Sequence, residues 1–367
     1  MNKNLNATND LYNRLLAGNR LNREDYIELY TRSDLLELGC IANELRQQKH
    51  PDSSPVTFVI DRNINYTNLC ACECKFCVFH KKIGDDTGYV LNYNQLREKI
   101  EELTQNNGTQ VLLQGGLNPD ISLEYYISTI ENIKNDFPDV AIHAFSPPEI
   151  AFIAENNNLS IKELLLKFKN AGLSSIPGGG AEILTDRVRY ALSPKKIDSD
   201  SWLNVMAIAH SLNIQSTATM MAGSIETREE RIEHLLKIRD LQDRTGGFRA
   251  FIPWNFQSNK TDIVPLETFS GYDYLKLIAI SRIILDNIQN IQVSWPTQGI
   301  KVAQVALNFG ANDFGGTMME ENVISSTGLK VHSSVASIVA AINTLNRNAA
   351  QRTTDYKILK IIQKSLQ

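Results

Sequence analysis

The chain predicts an α/β protein organised as a (β/α)8 TIM-type barrel with helical extensions at both ends, and three observations lead there. Eight short β-branched runs alternate with polar, helically periodic segments. The stretch from Val56 to Met319 is close to the ~250 residues such a barrel occupies, and the unusual residues gather where the runs end. Alternating strands and helices mean parallel strands joined by right-handed crossovers. An open doubly wound sheet shows the same alternation, because spacing says nothing about closure.

Residues 1–55 read as an N-terminal helical extension. In SDLLELGCIANELRQQ, Leu35, Leu36, Leu38, Ile41 and Leu45 recur with a helical period, and Cys40 is expected to lie on the apolar side as a small buried hydrophobe. The barrel is expected over residues 56–320. Its runs are VTFVIDRNINYTN from Val56, TQVLLQGG from Thr109, VAIHAFSPP from Val140, LSSIPGG from Leu173, STATMMAG from Ser216, RAFIPWNF from Arg249, IQVSWPT from Ile291 and NDFGGTMM from Asn312. Helices between them carry start signals. Thr227-Arg228-Glu229-Glu230 is a capping box ahead of Ile232, Leu235 and Leu236, and Asn94 precedes Leu96, Ile100 and Leu103. Residues 321–367 read as a C-terminal helical extension.

Composition narrows the function classes. With 367 residues, 37 Lys+Arg against 41 Asp+Glu, 43% hydrophobic and 21% charged residues, the chain has material for a large core. A net charge of −4 without basic runs argues against a nucleic-acid surface, which needs clustered cations. The opening stretch lacks the apolar centre of a signal peptide, and no apolar run approaches the ~18–20 residues of a membrane span. A cytoplasmic protein without membrane or nucleic-acid partners is expected.

Four of the five cysteines, Cys70, Cys72, Cys74 and Cys77, fall within eight positions of NYTNLCACECKFCVFH. That clustering points to metal. Cys70, Cys74 and Cys77 can hold three irons of a [4Fe–4S] cube and leave the fourth iron open to a ligand. Cys72, two residues from both neighbours, is too crowded to join the same cube. The alternative is a zinc site with His80 or Cys72 as fourth ligand.

Other candidates sit at run ends. Gly115-Gly116, within QGGLNP, lets backbone approach a ligand closely or forms a plain turn leading into a helix at Asn118-Pro119. Pro177-Gly178-Gly179-Gly180-Ala181-Glu182 exposes N–H groups beside a carboxylate able to bind ribose hydroxyls or take a proton, or else one that merely favours a helix start. His143 should face the barrel interior on the side of Phe145, as a titratable group near substrate or as a satisfied core histidine. Ser146 and Glu149 flank Pro147-Pro148, with Glu149 read chiefly as a helix N-terminal charge. Trp254 and Trp295 are packing residues or walls around a bound ring.

The cysteine loop resembles that of the radical S-adenosylmethionine superfamily, whose CxxxCxΦC motif is met by Cys70, Cys74, Phe76 and Cys77. Seven segments across residues 57–257, from TFVIDRNINYTNLC through GLSSIPGGGAEILTDRVR to GGFRAFIPWNFQ, are similar to the cyclic dehypoxanthine futalosine synthases of the futalosine route to menaquinone. The resemblance implies a [4Fe–4S] cluster, S-adenosyl-L-methionine and a one-electron donor such as flavodoxin or ferredoxin. It also implies hydrogen abstraction from ribose C4′ of dehypoxanthine futalosine and closure of the sugar radical onto the benzoate ring. Phe76, Gly115, Gly116, Asn118, Ser146, Glu182 and Gly223 are then the expected cofactor contacts, and Glu182 and His143 the expected catalytic groups. The family pattern has an aromatic and a histidine where this chain has Ala222 and Ser224. An aminofutalosine synthase is the neighbouring alternative, and an iron–sulfur or zinc carrier the alternative of another class.

Overall fold

The computed structural model describes residues 11–329 and 333–363. After helical residues 11–16 come two helices, Arg23–Arg32 and Leu35–Lys49, capped by Asn22 and Asp34, whose side chains accept from the N–H groups of Asp25 and Leu36. The second buries Leu38, Ile41 and Ala42, while Cys40 is exposed, contrary to the expectation for it. Cys40 lies two residues from Leu38, about 200° around the helix and so off the stripe that Leu38, Ile41 and Leu45 share.

The barrel strands are β1 (Val56–Val59), β2 (Asp61–Asn65), β3 (Gln110–Gln114), β4 (Ala141–Ala144), β5 (Ser216–Ala222), β6 (Phe248–Asn255), β7 (Asn290–Ile291) and β8 (Asp313–Gly316). β1 and β2 form one strand interrupted at Ile60. Parallel pairing runs β2 to β3 to β4; the fourth expected run contributes only bridges, His143 to Ser175 and Ile176 to Ser216; β5 to β6 to β7 continues, Gln292 bridges to Asp313, and β8 pairs with β1. Every neighbour is therefore linked, and the ring closes into eight positions. The open-sheet alternative is excluded by the β8–β1 pairing. Residues of β1, β2 and β4 are buried almost throughout, whereas β3, β5 and β6 leave several part exposed.

Helix caps largely follow the sequence. Thr227 and Glu230 form the reciprocal box at the start of Arg228–Thr245, and a similar box at Asn92 with Gln95, not Asn94, starts Tyr93–Gln105. Among the described residues no helix is long and apolar enough to cross a membrane.

The C-terminal segment differs from a purely helical extension. After a 3-10 turn (Ser325–Thr327) and a helix (Val335–Asn343), two strands follow, β9 (Ala349–Arg352) and β10 (Ile358–Ile362). β9 pairs in parallel with β1 through Val56, Thr57 and Phe58, and β10 returns antiparallel to β9. Ala349, Ala350 and Arg352 are buried, whereas Ile358, Leu359 and Ile361 stay half exposed on the outer strand. The turn 353–356 lies across the N-terminal end of the barrel: Arg352 pairs with Asp313 at the start of β8, and Arg249 near the start of β6 donates to Thr354 O.

Candidate active site

One cavity of about 420 Å³ runs through the barrel. It begins at the cysteine loop, passes the strand ends and reaches the C-terminal turn.

At the rim, Cys70, Cys72, Cys74 and Cys77 all line it, with Phe76. Burial pushes the Cys70 thiol up, and the Leu117 and Cys72 N–H groups, donating to its Sγ at 3.3 and 3.4 Å, offset part of that. Cys72 and Cys74 sulfurs stand 3.5 Å apart. That hydrogen bond, with the Lys196 ammonium behind it, pulls the Cys74 thiol down to about 5, whereas burial pushes Cys77 up to about 11. A Cβ on Gly116 would collide with the Leu69 carbonyl and with Cys70, so the second strand end seats directly against the cysteine loop. The donor set, a thiol trio at the motif spacing on a loop stiffened by N–H···S bonds, fits an iron–sulfur cube.

The next layer is the glycine run after the fourth strand position. A Cβ on Gly178 would meet Thr217 and Ala218 of β5, so its backbone is packed against a strand, and Gly178, Gly179, Gly180 and Glu182 all line the cavity. Glu182 has φ 40°, an uncommon conformation for a non-glycine residue. It is held there by Lys196 Nζ at 3.1 Å and Arg189 at 3.7 Å, and Arg189 also donates to the Gly180 and Ala181 carbonyls. Burial opposes the charge of Lys196, but the carboxylate of Glu182 and the Cys74 sulfur raise its pKa well above that of an ordinary lysine. Its ammonium also lies 5.2 Å over the Phe76 ring.

Ser146 lines the cavity, and Glu149 behind it does more than charge a helix start. Glu149 accepts from Gly115 N at 2.9 Å, Tyr66 Oη at 2.8 Å and Ser146 N at 2.8 Å, tying the second and third strand ends together. His143 faces the cavity as alternation requires, but Phe145 does not share its side: φ 60° turns that ring outward against Phe168 and Tyr126. His143 Nδ1 lies 2.7 Å from Ser175 Oγ, and burial with the nearby Arg249 charge pushes its pKa down to about 3. It is a neutral imidazole and a weak base. Trp254 and Trp295 both line the cavity, the latter donating to Gly316 O at 2.8 Å.

Two expected contacts lie elsewhere. Asn118 is buried outside the cavity and accepts from Asp120 N at 3.0 Å, which is the plain turn before a helix. Gly223 lies outside it too. Its N–H and the Ser224 N–H and hydroxyl donate to Glu226, whose carboxylate pairs with Arg231 at 2.8 Å, and Phe269 packs over Gly223. Ser224 thus belongs to a loop closed around a buried carboxylate.

Sequence reasoning missed Asp61, Lys196, Arg249, Arg352 and Tyr356, all lining the cavity. Asp61 was legible in principle, since a carboxylate inside a strand buried on both faces is unusual. Burial pushes its pKa up to about 6, although Met318 N–H donates to it at 2.9 Å.

Residues 64–238 match the Radical SAM superfamily model, and residues 245–365 match the CofH/MqnC C-terminal region. The chain is 43% identical to a cyclic dehypoxanthine futalosine synthase of Halalkalibacterium halodurans, covering 95% of this chain and 94% of that one. A 5-amino-6-(D-ribitylamino)uracil–L-tyrosine 4-hydroxyphenyl transferase of Methanococcoides burtonii is 40% identical, covering 88% and 92%. In fold it is similar to the FeFe-hydrogenase maturase HydG of Carboxydothermus hydrogenoformans, with TM-score 0.77 and 14% identity over 97% of this chain and 82% of that chain. Methylornithine synthase is similar with TM-score 0.69 and 16% identity over 92% and 96%. A barrel whose mouth carries the CxxxCxΦC thiols, matched by these two family models and over most of its length by both kinds of relative, is an enzyme that works with a [4Fe–4S] cluster and S-adenosylmethionine on a small-molecule substrate, and the chain belongs to the CofH/MqnC family of the radical SAM superfamily.

Proposed function

We propose that this enzyme is a cyclic dehypoxanthine futalosine synthase, converting dehypoxanthine futalosine to its cyclic product in the futalosine route to menaquinone. The observation that carries this reading is the likeness to the Halalkalibacterium halodurans synthase, 43% identical over nearly the full length of both chains. Bound S-adenosylmethionine, reduced by one electron from a flavodoxin- or ferredoxin-like donor in the cytoplasm, supplies a 5′-deoxyadenosyl radical. On the substrate, the C4′ hydrogen atom would pass to that radical to give 5′-deoxyadenosine, the sugar radical would close onto the benzoate ring, and the adduct would give up one electron to an acceptor and one proton to a base.

In this reading Cys70, Cys74 and Cys77 bind the cluster. Phe76, Gly115, Gly116 and Ser146 shape the cofactor's seat, with Glu149 fixing the Gly115 backbone. Glu182, oriented by Lys196 and Arg189, accepts ribose hydroxyls. His143 presents a neutral imidazole for hydrogen bonding. Asp61, with its pKa near 6, is better matched than His143 to take the final proton near neutral pH. Trp254, Trp295 and the closed barrel exclude water from the radical.

The identity of 40% to a tyrosine 4-hydroxyphenyl transferase favours a second reading, transfer between two substrates on the same cofactor. A carrier of iron–sulfur or zinc is set aside by family membership. The deciding experiment is anaerobic incubation of cluster-reconstituted protein with reductant, S-adenosylmethionine and either dehypoxanthine futalosine deuterated at C4′ or the uracil–tyrosine pair. Deuterium in 5′-deoxyadenosine together with cyclic product supports the cyclase. Turnover of the uracil–tyrosine pair alone overturns it in favour of the transferase.

A further inference from the structure

We propose that Arg249, with the hydroxyls of Tyr356 and Thr354, forms a subsite at the floor of the cavity that holds the anionic end of the substrate, a carboxylate. This deepens the proposed function and rests on it for the identity of that substrate.

The argument begins with β6. Its register against β5 pairs Ser216 with Phe248 and Thr217 with Ala250, so Arg249 is the extra residue of a β-bulge. A bulge breaks the inward–outward alternation and re-aims a side chain, and here it turns a guanidinium into the barrel. One of its nitrogens donates to Thr354 O at 2.8 Å and a second is 3.5 Å from Ser174 O, while Nε is buried with no partner. Unpaired buried donors are rare and costly, and their cluster in one place marks a site that something else completes. Thr354 Oγ1 and Tyr356 Oη are likewise buried and unpartnered, and both residues line the same cavity.

The charges agree with the geometry. Arg352, the neighbouring cation, is neutralised by Asp313 through two bonds of 2.6 and 2.9 Å, and stacks 3.8 Å from the Tyr356 ring. Asp355, a carboxylate that acts on Arg249 through space, is bound to Thr353 and pairs with Lys357 at 2.9 Å. His143 beside it is neutral. Arg249 therefore brings a positive charge with no direct ion-pair partner among the described residues to an enclosed floor below aromatic walls, which suits an aryl carboxylate reaching down from the reacting sugar at the rim.

The test compares binding of dehypoxanthine futalosine and its carboxamide to cluster-loaded protein carrying S-adenosylmethionine. Arg249→Gln should weaken the acid about 10- to 100-fold and the amide no more than threefold, with Arg249→Lys recovering part of the loss. Tyr356→Phe, which removes a hydroxyl that bonds nothing in the fold, should weaken the acid several-fold and leave thermal stability unchanged. Equal losses for acid and amide, or none for either, overturn the subsite while leaving the cyclase reading intact. If the unaltered protein binds neither compound, the cyclase reading fails instead. L-Tyrosine and L-tyrosinamide then repeat the comparison, and indifference of both to Arg249→Gln overturns the subsite as well.

Discussion

At the rim of the cavity the chemistry comes from two short stretches, Cys70–Cys77 and Gln114–Leu117, tied together by N–H···S bonds and a glycine contact. At the floor, Arg249, Arg352, Thr354 and Tyr356 meet across about a hundred residues of chain, through a bulge, a β-hairpin and a buried ion pair. The rim has the motif and the relatives' signature. The floor has three buried polar atoms without a partner, Arg249 Nε, Thr354 Oγ1 and Tyr356 Oη. A cluster site must be built from thiols a few residues apart because one small cube spans them, whereas a substrate terminus is met wherever closure of the barrel brings side chains together. The first kind of site is local and uniform across a superfamily; the second is assembled by the fold and free to vary with the substrate.

The largest effects should come from the rim. Cys70→Ala, Cys74→Ala or Cys77→Ala is expected to abolish the cluster's visible absorption and reduce 5′-deoxyadenosine formation by more than roughly 10³-fold, while Cys72→Ala retains both. Comparable loss from Cys72→Ala would mean that its sulfur, 3.5 Å from that of Cys74, is a ligand in its own right. Gly116→Val should also lose cluster loading, and not merely cofactor affinity. Its Cβ points into the Leu69 carbonyl and Cys70, so the added bulk displaces the cysteine loop itself. Iron and sulfide content measured after reconstitution distinguishes the two.

The floor should answer in stability before it answers in chemistry. Arg352→Leu leaves Asp313 buried and unpaired, and is expected to cost about 3–5 kcal/mol in denaturant unfolding. Adding Asp313→Leu should restore part of that, because the penalty belongs to the lone carboxylate. No recovery would place the cost in packing of the hairpin turn.

Asp61 stands on the wall between the two regions and carries a pH signature. Its folded pKa of about 6 lies above the ordinary 3.8, so the folded state binds the proton more tightly than the unfolded chain. The resulting stability is complete below about pH 4 and is lost as pH rises through 6, by on the order of 3 kcal/mol. Asp61→Asn should flatten the stability profile across that window and be more stable than the parent at pH 7.5. A parallel profile in both proteins would show that Asp61 titrates as an ordinary carboxylate. The smallest effect is expected at Cys40, exposed on its helix, where Cys40→Ser should shift stability by less than about 0.5 kcal/mol.

Much of this was open to a reader of the sequence. Strand–helix alternation forecast the barrel, the thiol spacing forecast the rim, and period-two alternation turned His143 inward. The same rule failed two residues later at Phe145, where a positive φ ends the strand and sends the ring into an aromatic cluster. Gly223 and Asn118 each lie at a strand end as the resemblance requires, but neither lines the cavity: a local carboxylate captures the one and an Asp120 turn the other. Lys196 was invisible because nothing in SPKKID separates it from Lys195, which is exposed and pairs with Glu73, whereas Lys196 turns inward to Glu182.

By itself the sequence determined what depends on near neighbours: the strand and helix periods, the capping boxes, and three thiols close enough in the chain to share one cluster. Only the tertiary structure decided which of two adjacent lysines turns inward, that Arg249 has no direct ion-pair partner among the described residues, and that the C-terminal turn would floor the barrel. Periodicity and loop spacing are short-range properties written into the chain. Burial and charge pairing across a closed ring depend on groups far apart in sequence, and those meet only once β8 has paired with β1 and β9 has docked beneath it.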